Sequence, residues 1–155
     1  MSGSASPPRG VQNPPRFASG AKSLARKLAM QALYRWQINE APWQDLINEF
    51  ATEEGMDKAD GEYFRELVQG IVAACPDLDA QLAAWMDRSP ALLDPIEHAV
   101  LLIGAYELKS RPEVPYRVVI NEGVSLAKRF GATDGHKFVN AVLDRAARTL
   151  RPHEH

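Results

Sequence analysis

Apolar residues recur along most of this chain at intervals of three and four, the spacing that lines up side chains on one face of an α-helix. Leu24, Leu28, Ala32 and Leu33 begin such a stripe and Trp36 continues it, with Ser19 or Ser23 placed to cap its start. The pattern breaks at Ala41-Pro42. Leu46, Ile47 and Phe50 then predict a short helix from Trp43 to about Glu53, ended by the polar stretch from Glu54 to Lys58 with Gly55. A long helix follows, from Tyr63, Phe64, Leu67, Val68, Ile71 and Val72 through Leu78, Leu82, Trp85 and Met86, with Pro76 kinking or dividing it. Asp94-Pro95 reads as an N-cap with proline at the first helical position, opening "IEHAVLLIGAYEL". Ile96, Val100 and Ile103 share one stripe there and Leu101, Ala105 and Leu108 another, which predicts the central helix of the core. Pro115 starts a helix that runs to Phe130 and stops at Gly131 in a C′ position, and Thr133 or Asp134 caps the last one. Its stripe is Val139, Val142, Leu143, Ala146 and Leu150. No segment shows several turns of period-two alternation, so the predicted fold class is all-α, with six or seven helices.

Length and composition agree with one packed domain: 155 residues, of which 45% are hydrophobic. Met1 to Ser19 stands apart, with four prolines, two glycines and few large apolar side chains. Too little burial is available there to offset the entropy of ordering, so residues 1–19 are expected to be a flexible basic tail ahead of a helical domain over 20–152. Cys75 is the only cysteine, which excludes an intrachain disulfide and favours a reducing, cytoplasmic setting. The first thirty residues lack an apolar signal core, and no run approaches the roughly 18 to 20 apolar residues needed to cross a bilayer. Neither secretion nor a membrane is expected.

The net charge of -2 conceals three blocks of different sign. From Met1 to Asn39 there are six bases and no acid; from Glu40 to Glu107 fifteen acids face three bases; from Leu108 to His155 nine bases face five acids. The two basic blocks are expected to converge when the helices pack, as a polyanion surface would require. Ordinary solvated faces would produce the same counts.

Catalytic chemistry is thinly supplied. His98 and His136 have no second metal ligand at i+3 or i+4, and His153 and His155 belong to a polar end. Cys75, among Val72, Ala73 and Ala74, reads as a buried thiol rather than a nucleophile. No glycine-rich phosphate loop occurs. No catalytic residue, metal or cofactor is therefore expected. One feature does ask for a reason: in "DGHKFVNAVLDRAAR", Phe138 lies roughly 100° to one side of the apolar stripe and Lys137 farther round. An aromatic beside a cation at the core's margin either covers a neighbouring helix or offers a stacking face to an unstacked base with a phosphate contact alongside.

"ALYRWQ" in the first helix, "YELKSRPEVPYRVVINEGVSLAKRFG" and "HKFVNAVLD" together resemble the NusB family of bacterial antitermination factors over roughly Ala21 to Pro152. The resemblance implies two small helix bundles and no catalytic activity. It implies binding of the boxA element of nascent ribosomal RNA together with the ribosomal protein NusE, as part of an RNA polymerase antitermination complex. Carried over by motif, it places RNA contacts at Lys22, Arg26 and Lys27 and at Asp134, Lys137 and Phe138, and the NusE surface around Glu97 and Tyr34. A basic ribosomal protein would meet the acidic block there. Ala141 stands where "FVNGVLD" of the family has glycine, an added methyl that packing should tolerate.

Two further roles fit the same residues: an RNA-targeting module that works with a separate ribosomal RNA methyltransferase subunit, and an adaptor that does not touch RNA. Removing Met1 to Ser19 is expected to leave the circular dichroism signal and melting temperature of the domain unchanged; a collapse of either in the truncated protein would show that the segment folds with the rest.

Overall fold

The computed structural model describes residues 20–154, and the periodic segments fold as six helices. They are α1 (Gly20–Asn39), α2 (Trp43–Phe50), α3 (Gly61–Ala84), α4 (Pro95–Ser110), α5 (Tyr116–Phe130) and α6 (Gly135–Leu150), with single 3₁₀ turns at Met56–Lys58, Pro90–Leu92 and Pro152–Glu154. No strand occurs among the described residues, and the fold class is all-α. The tail expected at residues 1–19, and with it Ser19, lies outside the described residues.

Side-chain caps explain two of the helix starts. Asp60 caps α3 by accepting the Tyr63 N–H at 3.0 Å, and Asp94 caps α4 by accepting the Glu97 N–H at 3.3 Å, with Pro95 in the first turn. Two expectations need correcting and a third is narrowed. Ser23 lies inside α1 and is no cap; its hydroxyl donates to Glu122 at 2.9 Å. Of the two alternatives at Pro76, division is ruled out: α3 continues through it, because only the Val72 carbonyl loses its helical partner there. Gly131 ends α5 in extended backbone (φ -88°, ψ -179°) rather than the left-handed turn of a usual C′ glycine.

Helices α1, α2 and α3 pack as one group and α4, α5 and α6 as another, and α4 joins them by packing on both α1 and α3. Hence α4 is buried on nearly all sides, continuously from Ala99 to Ala105, as its double stripe predicts. The α6 stripe is buried at Val139, Val142, Leu143 and Ala146. Leu143 enters a hole between two glycines: a Cβ on Gly104 would stand 2.6 Å from its Cδ2, and one on Gly123 2.8 Å from its Cδ1. Absent side chains there let α4 and α5 close on α6.

The groups are also joined by a buried polar cluster. Arg26 of α1 is 0% exposed, and its Nε donates to both Glu107 oxygens, at 3.2 and 2.9 Å. The Tyr63 hydroxyl of α3 donates to the same carboxylate, and Glu122 of α5 lies 3.5 Å from the Arg26 guanidinium. Burial pushes the Glu107 carboxyl up while Arg26 and Tyr63 pull it down. For Arg26, burial opposes the charge but Glu107, Tyr63 and Glu122 outweigh it and raise its value. At the far end of the chain, Arg151 donates to the carbonyls of Leu108 (2.8 Å), Val114 (2.9 Å), Glu107 (3.1 Å) and Arg111 (2.9 Å), tying the end of α4 and the loop after it to the end of α6.

Glu107→Ala should cost about 3–5 kcal/mol in urea denaturation, because it leaves the Arg26 charge buried without its main partner, whereas Arg26→Met with Glu107→Leu should lose less than either single change. Equal or larger loss in the double variant would show that the pair is worth more than apolar packing. Lys22, bonded at 2.9 Å, holds the Asp60 carboxyl below the usual carboxylate range. A lowered folded value contributes stability above the unfolded value of about 4, and that contribution disappears as pH falls below it. Asp60→Asn should therefore flatten the acid side of a stability-against-pH curve while keeping the α3 cap.

Candidate nucleic-acid interface

The cations expected to meet phosphate in the first helix are spoken for to different degrees. Lys22, with its side chain 22% exposed, pairs with Asp60 and sits 4.5 Å from the centre of the Tyr63 ring. Arg26 is enclosed by the cluster described above, so its expected RNA contact is corrected: its guanidinium is a structural group with no face toward solvent. Lys27 is part exposed at the edge of the same turn.

The other expected segment starts α6. Asp134 occupies the N-cap position in left-handed backbone (φ 65°), yet its side chain caps nothing and lies 3.5 Å from the Lys137 ammonium. Both side chains are well exposed, Lys137 at 73%. Phe138 is half-buried and packs on the core, so it covers a neighbour and still keeps an accessible side. That side is not bare: the Arg88 guanidinium lies 4.4 Å from the ring centre. Sequence reasoning missed Arg88, because a cation in "MDRSP" carries no periodic or motif signal and meets Phe138 only through the packing of α3's end on α6. The cations Lys128 and Arg129 close α5 just before this connection.

These two segments are not brought together. Helix α1 runs antiparallel to α4, with Arg26 at Glu107 and Gln37 donating to the Pro95 carbonyl at 3.0 Å. Glu107 therefore marks the Arg26 end of α4, and Glu97, against the start of α6, marks the other, about 15 Å apart at helical rise. The expected convergence of the N-terminal and C-terminal basic blocks is thus met only in part: Arg111 joins Lys22 and Arg26 around the Tyr63 ring, while the start of α6 lies toward the other end of α4.

The expected partner residues also divide. Tyr34 is 38% exposed and joins Ile38 (54%) and Leu92 (75%) as the large exposed hydrophobic side chains among the described residues. Ile38 borders a hollow of about 670 Å³ between the end of α1 and the turn before α4, which Trp36, Leu93 and His98 also line. Glu97, by contrast, is 8% exposed, and its carboxylate occupies the space a Cβ on Gly135 would need. Its expected role as an outward-facing partner contact is corrected: it places negative charge at the start of α6, the positive end of that helix's dipole. His98 turns the other way, bonding Asp79 at 2.6 Å and Gln37 at 2.9 Å. Burial, then Asp79, pushes the Cys75 thiol up to about 12, which makes it inert at neutral pH. Among the described residues no three His, Cys, Asp or Glu side chains gather as a metal site, and no helix is long and apolar enough to cross a membrane.

The NusB family model matches residues 23–148. The transcription antitermination protein NusB of Pseudoalteromonas atlantica is 47% identical over 134 residues, covering 86% of this chain and 96% of that protein. Its counterpart in Xylella fastidiosa strain 9a5c is 50% identical over 130 residues, 84% of this chain and 83% of that one. Among solved structures, T. maritima NusB superposes with a TM-score of 0.74 at 27% identity, covering 88% of this chain and 93% of its own. A crystal structure of the antitermination factors NusB and NusE in complex with double-stranded RNA gives 0.75 at 26% identity, covering 82% and 96%. The role these relatives are named for is non-enzymatic. With the helix order, the α4-centred packing and most of the described residues matched, this chain belongs to the NusB family.

Proposed function

We propose that this chain is a transcription antitermination factor of the cytoplasm that binds boxA-type single-stranded RNA of nascent ribosomal transcripts jointly with ribosomal protein NusE, within an RNA polymerase antitermination complex. The observation that carries the RNA reading is the start of α6, where exposed Lys137 adjoins half-buried Phe138 under a guanidinium. Phosphate and an unstacked base are the two things such a pair recognises together. Its likeness to a NusB solved with NusE and double-stranded RNA supports RNA and NusE as partners in general. In this reading Lys22 and Lys27 take phosphates farther along the strand, Asp134 fixes Lys137, and NusE rests on Tyr34 with Ile38 and Leu92, while Glu97 supports the α6 start from within. The acidic residues between Glu40 and Glu107 suit a basic ribosomal protein.

The test is a titration of boxA-like RNA with and without NusE across a range of salt. Affinity should rise when NusE is present. Lys137→Ala should make the slope of log affinity against log salt shallower by about 0.7, the loss of one phosphate contact, whereas Phe138→Ala should weaken binding with the slope nearly unchanged. Phe138→Ala that loses several kcal/mol of folding stability while its folded fraction binds normally would reduce Phe138 to a core residue. Leu92→Asp should weaken NusE binding in calorimetry by about tenfold or more and leave the melting temperature in place, because Leu92 is 75% exposed. Unchanged NusE affinity would remove this face from the partner surface.

A further inference from the structure

Phe138, Ala141 and Arg145 recur on one face of α6 and turn toward the end of α3, where a hollow of about 350 Å³ opens between them and the 85–88 turn. That size is at the lower end of ligand-binding hollows, about 300–1,000 Å³. Two guanidiniums border it. Arg145 is held in place by an Nη1–H bond to the Trp85 carbonyl at 2.8 Å, an acceptor left over at the end of α3. Arg88 lies over the Phe138 ring, its side chain 51% exposed and its other charged neighbour, Asp87, 3.8 Å away and itself 90% exposed. An ion pair that open to water is worth little and leaves the guanidinium oriented mainly by the ring. The consequence is geometric: on the side of the Phe138 ring that Arg88 occupies, a base would have to meet the half-exposed guanidinium.

We propose that Arg88 is the stacking surface of this site: a nucleobase of single-stranded RNA lies on the outer face of its guanidinium, Phe138 backs that plane from below, and Arg145 across the hollow takes the adjoining phosphate. The inference rests on the RNA reading of the α6 start and changes what that reading says about recognition. Planar, delocalised and weakly hydrated, a guanidinium stacks on bases as aromatic rings do, and a lysine at the same place does not. Ala141, small and part-buried in the floor, keeps the hollow open between the two arginines.

The experiment measures fluorescence anisotropy of a labelled boxA-like RNA with the full chain and NusE present, comparing wild type, Arg88→Ala, Arg88→Lys, Phe138→Ala and the Arg88→Ala/Phe138→Ala pair, each first checked for folding by circular dichroism. Arg88→Ala should bind about tenfold more weakly. Arg88→Lys should stay nearly as weak while keeping the wild-type salt slope, since it restores charge without a plane. The paired variant should be no more than about twofold weaker than the worse single one, because one stack is lost only once. Wild-type affinity in Arg88→Ala, full recovery in Arg88→Lys, or losses that multiply in the pair would each overturn the proposal while leaving RNA binding intact. A wild-type protein that binds no RNA even with NusE would overturn the RNA reading and this proposal with it.

Discussion

Arg26 carries a full charge with no exposure to water, and a charge in that position is tolerable only when its partners are placed around it at the same time. Those partners come from three other helices: Glu107 from α4, Tyr63 from α3 through the same carboxylate, and Glu122 from α5. No local segment supplies them. The alignment of α1 along α4 that leaves neither Arg26 nor Glu107 unpaired is the observed one, and a slip by a turn would bury both without compensation. Because a buried pair roughly breaks even against apolar packing, its consequence is alignment more than net stability.

That alignment sets what lies at the opposite end of α4. With Arg26 at Glu107, antiparallel packing carries Gln37 to Pro95 and His98, and so places Ile38 beside the turn that exposes Leu92, with Tyr34 one turn earlier on α1. On the other side of the same end, Glu97 rests against Gly135 and puts negative charge at the start of α6, where the Asp134 side chain provides no cap. The first turns of α4 therefore underlie both the exposed apolar side chains near the end of α1 and the cation–aromatic pair of α6. Anything that shifts the start of α4 is felt at both places.

Much of this was readable in the chain. The helix spans followed from three-four periodicity, the α4 start from Asp94-Pro95, the central place of α4 from its two stripes, and the buried face of α6 from Val139, Val142, Leu143 and Ala146. Phe138 was visible as an aromatic off that stripe; it packs on the core, as one of its two readings expected, and carries the Arg88 guanidinium against its ring. Arg26 was misread for an understandable reason. In sequence it is one cation among several at a helix start, and only distant residues, more than eighty positions away at Glu107, determine that it points inward.

What the sequence by itself determined about this protein is what depends on near neighbours: helix type, the cap at Asp94, the apolar faces, and the family to which its motifs belong. These follow from side-chain periodicity and backbone hydrogen bonding within a few residues, which any reader of the chain can count. Only the tertiary structure decided which charges face water. It buried Arg26 and Glu97, left Lys137 exposed, laid Arg88 over Phe138, and brought the two basic blocks together only in part, around the Tyr63 ring. The physical reason is that the free energy of a charge depends on everything within a few ångströms, and in a packed bundle those neighbours come from helices far apart in the chain.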